Sequence, residues 1–125
     1  MQILVAEDEP LVLLSLQKQL TSEGYEVISV TDGREALSAL ENSNSPNLII
    51  TDILMPFTSG LELIGIVKAN QQKNIPILVL SGLGQESTVM EAFQLGADDF
   101  LTKPFIPAEL SMRVKRLLKT YPEKL

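Results

Sequence analysis

The sequence predicts an α/β protein built on a doubly wound, five-stranded parallel sheet, and three observations carry that prediction. Short apolar runs recur along the chain, stretches of helical period separate them, and glycines and prolines stand at the joints. Ile3-Leu4-Val5-Ala6, Leu48-Ile49-Ile50 and Ile77-Leu78-Val79-Leu80 are apolar throughout, the pattern of strands buried on both faces. Tyr25-Glu26-Val27-Ile28-Ser29-Val30 alternates more, which suits an edge strand. Asp99-Phe100-Leu101-Thr102 is a weaker fifth candidate.

The helices follow from their ends. Pro10 suits the first turn of a helix running to about Ser22, with Gly24 as its terminator. Thr31 or Asp32 can cap a second helix through Leu40. A third follows Gly60 and lines up Leu61, Ile64 and Val67; a fourth runs from about Glu86 to Leu95 and stops at Gly96. Pro107 opens the fifth, whose Leu110, Val114, Leu117 and Leu118 form an apolar stripe. Strand and helix thus alternate five times, without repeat, low-complexity tract or linker. The length of 125 residues suits one domain, 1–125 with a core of about 2–119.

Composition bounds the chemistry. Hydrophobic residues at 45% supply a core, but no apolar run is long enough to cross a bilayer. A strand starting at Gln2 leaves no signal peptide ahead of the fold, so a cytoplasmic location is expected. With no cysteine, disulfides and thiolate metal sites are excluded. The absence of histidine excludes Ser/His and Cys/His catalysis, histidine-ligated zinc and a phosphohistidine carrier role. The net charge of −6 argues against nucleic acid as a direct ligand. Carboxylates, hydroxyls and amines must do the work.

In an open parallel sheet the strands end at one edge, and ligands bind there, where the strand order reverses. Just past those ends stand Glu7 and Asp8, then Asp52, Ser81 and Lys103. Each has a plain structural reading: Asp8 as a helix cap, Asp52 as a turn residue, Ser81 as a loop cap, Lys103 as a solvated lysine. Four separate strand ends choosing complementary groups by chance is the harder explanation. Two unit charges about 4 Å apart repel by roughly 4 kcal/mol at an effective dielectric near 20. Three clustered acids therefore call for a cation, and an all-oxygen donor set favours Mg²⁺. A lysine and a hydroxyl beside such a site suit a phosphoryl group.

These segments also carry a resemblance. Ile3 to Pro10 (ILVAEDEP), Leu48 to Pro56 (LIITDILMP), Ile77 to Gly82 (ILVLSG) and Gly96 to Phe105 (GADDFLTKPF) resemble receiver domains of two-component response regulators, over essentially the whole chain. The resemblance implies a flavodoxin-like (βα)5 fold with strand order 2-1-3-4-5. It makes Asp52 the phosphoacceptor, Glu7 and Asp8 the acidic pair, and Leu54 the donor of a backbone carbonyl to the metal. It makes Ser81 the switch hydroxyl, Phe100 the aromatic that follows its rotation, and Lys103 the phosphoryl's ion partner, with a cis bond to Pro104. It also implies a histidine kinase or phosphotransfer protein as donor, and an effector domain or target protein downstream.

Some positions depart from the pattern. Glu7 stands where Asp is commoner, and Ser59 replaces an acidic residue before Gly60. Leu54 and Leu83 occupy positions that often carry polar side chains orienting the hydrolytic water; two leucines there are expected to shield the acyl phosphate and lengthen its life. Asp98, Glu109 and Arg113 resemble the charges by which winged-helix regulators pair their receivers, implying a homodimer across the fourth helix, fifth strand and fifth helix. Glu91 opposes it, standing where a basic residue would face Glu109. Three rival readings fit the residues less well. A small Mg²⁺-dependent phosphohydrolase would want an acid at Leu54. A nucleotide-binding module would want a glycine-rich loop where Glu7-Asp8-Glu9-Pro10 stands. A degenerate receiver, binding partners without phosphorylation, would have no need of the complete acceptor set.

Overall fold

The computed structural model describes residues 1–42, 45–55, 59–70 and 74–120. Pro56, Phe57 and Thr58 of the third-strand loop and the tail from Tyr121 to Leu125 lie outside the described residues. Strands β1 (Gln2–Ala6), β2 (Glu26–Val30), β3 (Leu48–Asp52), β4 (Ile77–Ser81) and β5 (Asp99–Thr102) form one sheet. They alternate with helices α1 (Pro10–Ser22), α2 (Gly33–Asn42), α3 (Gly60–Ala69), α4 (Glu86–Leu95) and α5 (Pro107–Thr120). All neighbouring strands pair in parallel, in the order β2-β1-β3-β4-β5. The expected topology holds.

Alternation along each strand divides the core into two layers. Ile3, Val5, Leu48, Ile50, Leu78 and Leu80 face α1 and α5, meeting Leu16, Leu20, Leu110 and Val114. Leu4, Ala6, Ile49, Ile77 and Val79 face the other side, meeting Ala36, Leu63, Ile64, Val89 and Ala92 of α2, α3 and α4. The central strands β3 and β4 are buried at every residue, which is why their sequences are apolar without alternation. The alternation expected of β2 is clearer on β5, the opposite edge, where Asp99 and Leu101 are buried and Phe100 and Thr102 exposed.

The helix ends match their local chemistry. Asp32 Oδ1 accepts from Glu35 N–H at 2.9 Å, while the Glu35 carboxylate accepts from Thr31 N–H at 2.8 Å, a reciprocal box ahead of α2. Ser59 Oγ accepts from Glu62 N–H at the start of α3. Gly96 ends α4 with a φ of +116°, a left-handed turn that glycine adopts without a Cβ clash. Asp8 does not cap α1. Glu9 holds that position without a side-chain bond, and Pro10 removes one of the donors a cap would satisfy.

One glycine fixes the site itself. A Cβ on Gly60 would lie 2.2 Å from the Asp52 carbonyl oxygen and 2.9 Å from Ile53 Cα. The Gly60 N–H also donates to Ile53 O at 3.1 Å. The start of α3 is thus pressed against the end of β3, setting where Asp52 stands.

Candidate functional site

The chain order reverses between β1 and β3, and the predicted residues lie at that crevice. Glu7 follows the last residue of β1, Asp52 ends β3, Ser81 ends β4, and Lys103 follows β5. Glu7, Asp8 and Asp52 each offer a carboxylate oxygen, and these lie within 4.8 Å of one another. Lys103 Nζ stands 3.2 Å from Glu7 Oε1, 3.2 Å from Asp52 Oδ2 and 3.2 Å from Glu9 Oε1. The Lys103–Pro104 peptide bond is cis.

Burial makes this cluster costly. The Glu7 side chain has no solvent exposure and Asp52 has only 6%. Burial pushes the Glu7 carboxyl from its ordinary 4.5 up to about 7; a bond from the Glu9 N–H opposes this, and the Asp52 charge adds to it. Burial also raises Asp52, against the pull of Lys103 and a backbone bond from Leu54 and with the help of Asp8. Burial alone would lower Lys103, but Asp52 and Glu7 outweigh it and hold the ammonium well above its ordinary value. The pocket is therefore short of positive charge even with its lysine in place. Its donors are all oxygens, on strand ends that are rigidly placed, and such a set fits a hard divalent cation such as Mg²⁺.

The remaining residues border this pocket. Lys103 N–H donates to Ser81 O at 2.7 Å, tying the ends of β4 and β5 together. Ser81, Phe100, Thr102, Val89, Met90 and Phe93 line a cleft of about 330 Å³ between α4 and β5. Phe100 stands in that cleft, its ring edge-on to Phe93 with centroids 5.9 Å apart. Leu54 is 52% exposed and Leu83 is 90% exposed. An apolar Leu54 leaves the phosphohydrolase reading without its second acid.

Comparison with known proteins settles the family. The model for the response regulator receiver domain matches residues 3–115. The chain belongs to the response regulator receiver family. This receiver is 41% identical to response regulator RR06 of Streptococcus pneumoniae, over 97% of its own length and 54% of that protein. It is 39% identical to the alkaline phosphatase synthesis transcriptional regulatory protein PhoP of Bacillus subtilis, over 94% of the receiver and 48% of that protein. It thus spans about half the length of the curated relatives it matches. The receiver domain of a histidine kinase from Syntrophus aciditrophicus superposes with a TM-score of 0.89 at 36% identity, covering 99% of this receiver and 94% of that chain.

Receivers are signalling domains of two-component systems, partnered with histidine kinases and effector domains, and they use Mg²⁺ in their acidic pocket. Among the described residues, no helix of this receiver is long and apolar enough to cross a membrane. Two residues at the site escaped sequence reading. Glu9 was legible as the third member of an acidic run, but its contact with Lys103 depends on how α1 starts. Gln85, whose Oε1 accepts from Gly82 N–H at 2.6 Å, belongs to no motif.

Proposed function

We infer that this chain is the phosphoryl-accepting domain of a cytoplasmic response regulator, taking the group on Asp52 from a histidine kinase or phosphotransfer protein. The observation that carries this reading is the salt bridge of Lys103 Nζ with both Asp52 and Glu7, closed by Asp8 into one acidic pocket. Glu7, Asp8, Asp52 and the Leu54 backbone carbonyl would hold Mg²⁺, which when bound neutralises charge on the transferring group. Asp52 supplies the attacking carboxylate oxygen. Lys103 stands ready to pair with the incoming oxygens, and Ser81 can donate a hydroxyl bond to one of them. Donor nitrogen leaves as Asp52 gains the phosphoryl group, and water later reverses the modification. The domain thereby supplies the groups for its own phosphorylation and dephosphorylation.

The output surface in this reading is the face of α4, β5 and α5, biased by Ser81 and Phe100. Its charges already have partners inside the chain: Asp98 meets Lys68 at 2.9 Å, and Arg113 meets Asp99 at 2.9 Å and Glu109 at 3.4 Å. A homodimer across this face requires those pairs to exchange, and Glu91 adds like charge to it.

The test is direct. Incubation with Mg²⁺ and acetyl phosphate, followed by intact mass and peptide mapping, is expected to show one added phosphate, located on Asp52. No mass gain with either a small donor or a kinase would defeat the reading.

Phosphoryl lifetime is a separate expectation. Leu83 is 90% exposed at the rim of the cleft it shares with Ser81 and Phe100, so it offers little steric shielding. What Leu54 and Leu83 share is that neither side chain can hydrogen-bond an attacking water. Leu54→Asn with Leu83→Glu supplies that capacity and should speed dephosphorylation about a hundredfold, the low end of what one positioned general base contributes. Equal decay of radiolabelled wild type and variant would show that these positions do not set the rate.

A further inference from the structure

We propose that Gln85 is a positioning residue that occupies the Gly82 N–H in the unphosphorylated domain and yields it to a phosphoryl oxygen on Asp52. The proposal rests on the phosphoacceptor reading above. Ser81 and Thr102 are the last paired residues of the β4–β5 ladder, and Asp52 pairs with Leu80 across the β3–β4 ladder. Gly82 is therefore the first residue past β4, two beyond the register partner of Asp52. Its N–H has left the ladder and takes a side-chain acceptor, Gln85 Oε1 at 2.6 Å.

That bond has an alternative that Gln85 declines. Gln85 occupies the N-cap position of α4, where a side chain ordinarily accepts from the first turn of its own helix, yet it makes no such bond. Its carboxamide turns back towards the strand end, across Leu83 and Gly84, the latter at a φ of +80°. Gln85 also lines the cleft shared by Ser81, Phe100 and Phe93. One carboxamide thus links the first backbone donor beyond the end of β4, on the strand beside Asp52, to the start of the helix bordering the output face.

Energetics gives the direction of exchange. A phosphoryl group brings three strong acceptor oxygens and nearly two negative charges, and a charge-assisted bond is about twice as strong as a neutral amide–amide one. Phosphoryl oxygen therefore displaces Oε1 from Gly82, and the freed carboxamide becomes available to the first turn of α4. In the unphosphorylated domain the same bond competes with phosphorylation.

Two variants at this position should move in opposite directions. Gln85→Ala removes the competitor, so beryllofluoride, titrated with Mg²⁺ and followed by amide NMR, should bind about fivefold more tightly, the worth of one net hydrogen bond. Gln85→Glu keeps the length but presents a carboxylate to Gly82 N–H, and should bind about fivefold or more weakly. In the metal-free, phosphate-free protein, the Gly82 amide should exchange with solvent faster in Gln85→Ala than in wild type. A merely local loop bond predicts something else: both variants lose thermal stability and both bind beryllofluoride as wild type does. That result, with wild type still binding, would overturn the role of Gln85 and leave Asp52 as acceptor. A wild type that binds no beryllofluoride and gains no phosphate would overturn both.

Discussion

Asp52→Asn is expected to abolish phosphate uptake and, in the metal-free protein at neutral pH, to raise the Tm by a few degrees. The first effect follows from chemistry: a carboxamide oxygen cannot form the acyl phosphate that a carboxylate forms. The second follows from electrostatics. Burial raises the Asp52 carboxyl above its ordinary value despite Lys103, so its ionisation works against folding. An acid whose folded value is raised contributes stability below its unfolded value and loses it as pH climbs through the folded one. Asparagine fits the same space with no charge, and Lys103 retains Glu7 and Glu9 as partners. Loss of phosphate uptake with an unchanged or higher Tm, read by intact mass and differential scanning calorimetry, separates a missing acceptor from a misfolded chain. A variant that melts lower would mean the Lys103 pairing outweighs the burial of Asp52, reversing the electrostatic account.

The same residues explain what was legible in the sequence. Buried strands had to be apolar on both faces, so β1, β3 and β4 announced themselves, and the polar residues that stop them marked the ligand edge. Helix ends were legible where local chemistry decides them, as at Pro10, Asp32 and Gly96. Asp8 was ambiguous between helix cap and site residue because both roles want a short carboxylate just before a helix. Only the β1–β3 reversal brings Asp8 to Asp52 and resolves it. Gln85 was illegible because a glutamine in a loop has no pattern to violate; its meaning lies in a bond to Gly82 that spacing does not encode. The exposure of Leu83 was also hidden. An apolar residue beside a pocket reads as its cover until the loop is seen to carry it into solvent.

Mg²⁺ affinity is expected to fall about tenfold for each pH unit below 7, with close to one proton released per ion bound at pH 6. Glu7 is the reason. Its carboxyl is raised from 4.5 to about 7, chiefly by burial, with Asp52 adding to the shift and Lys103 and the Glu9 N–H opposing it. Asp8, Glu9, Asp52 and Lys103 are the charged groups that face it. Below that value Glu7 holds a proton that an incoming divalent cation must displace; above it the carboxylate is already free. The same titration sets stability: without metal, the protein should lose stability as pH rises from 4.5 to about 7, and Mg²⁺ should restore it in the upper part of that window. Calorimetric Mg²⁺ titrations in two buffers of different protonation enthalpy count the protons directly. Glu7→Gln should flatten the pH dependence while preserving the fold. A pH dependence that survives Glu7→Gln would move the proton to Asp52, the other carboxyl raised by burial, and would make the acceptor itself the group that the cation must deprotonate.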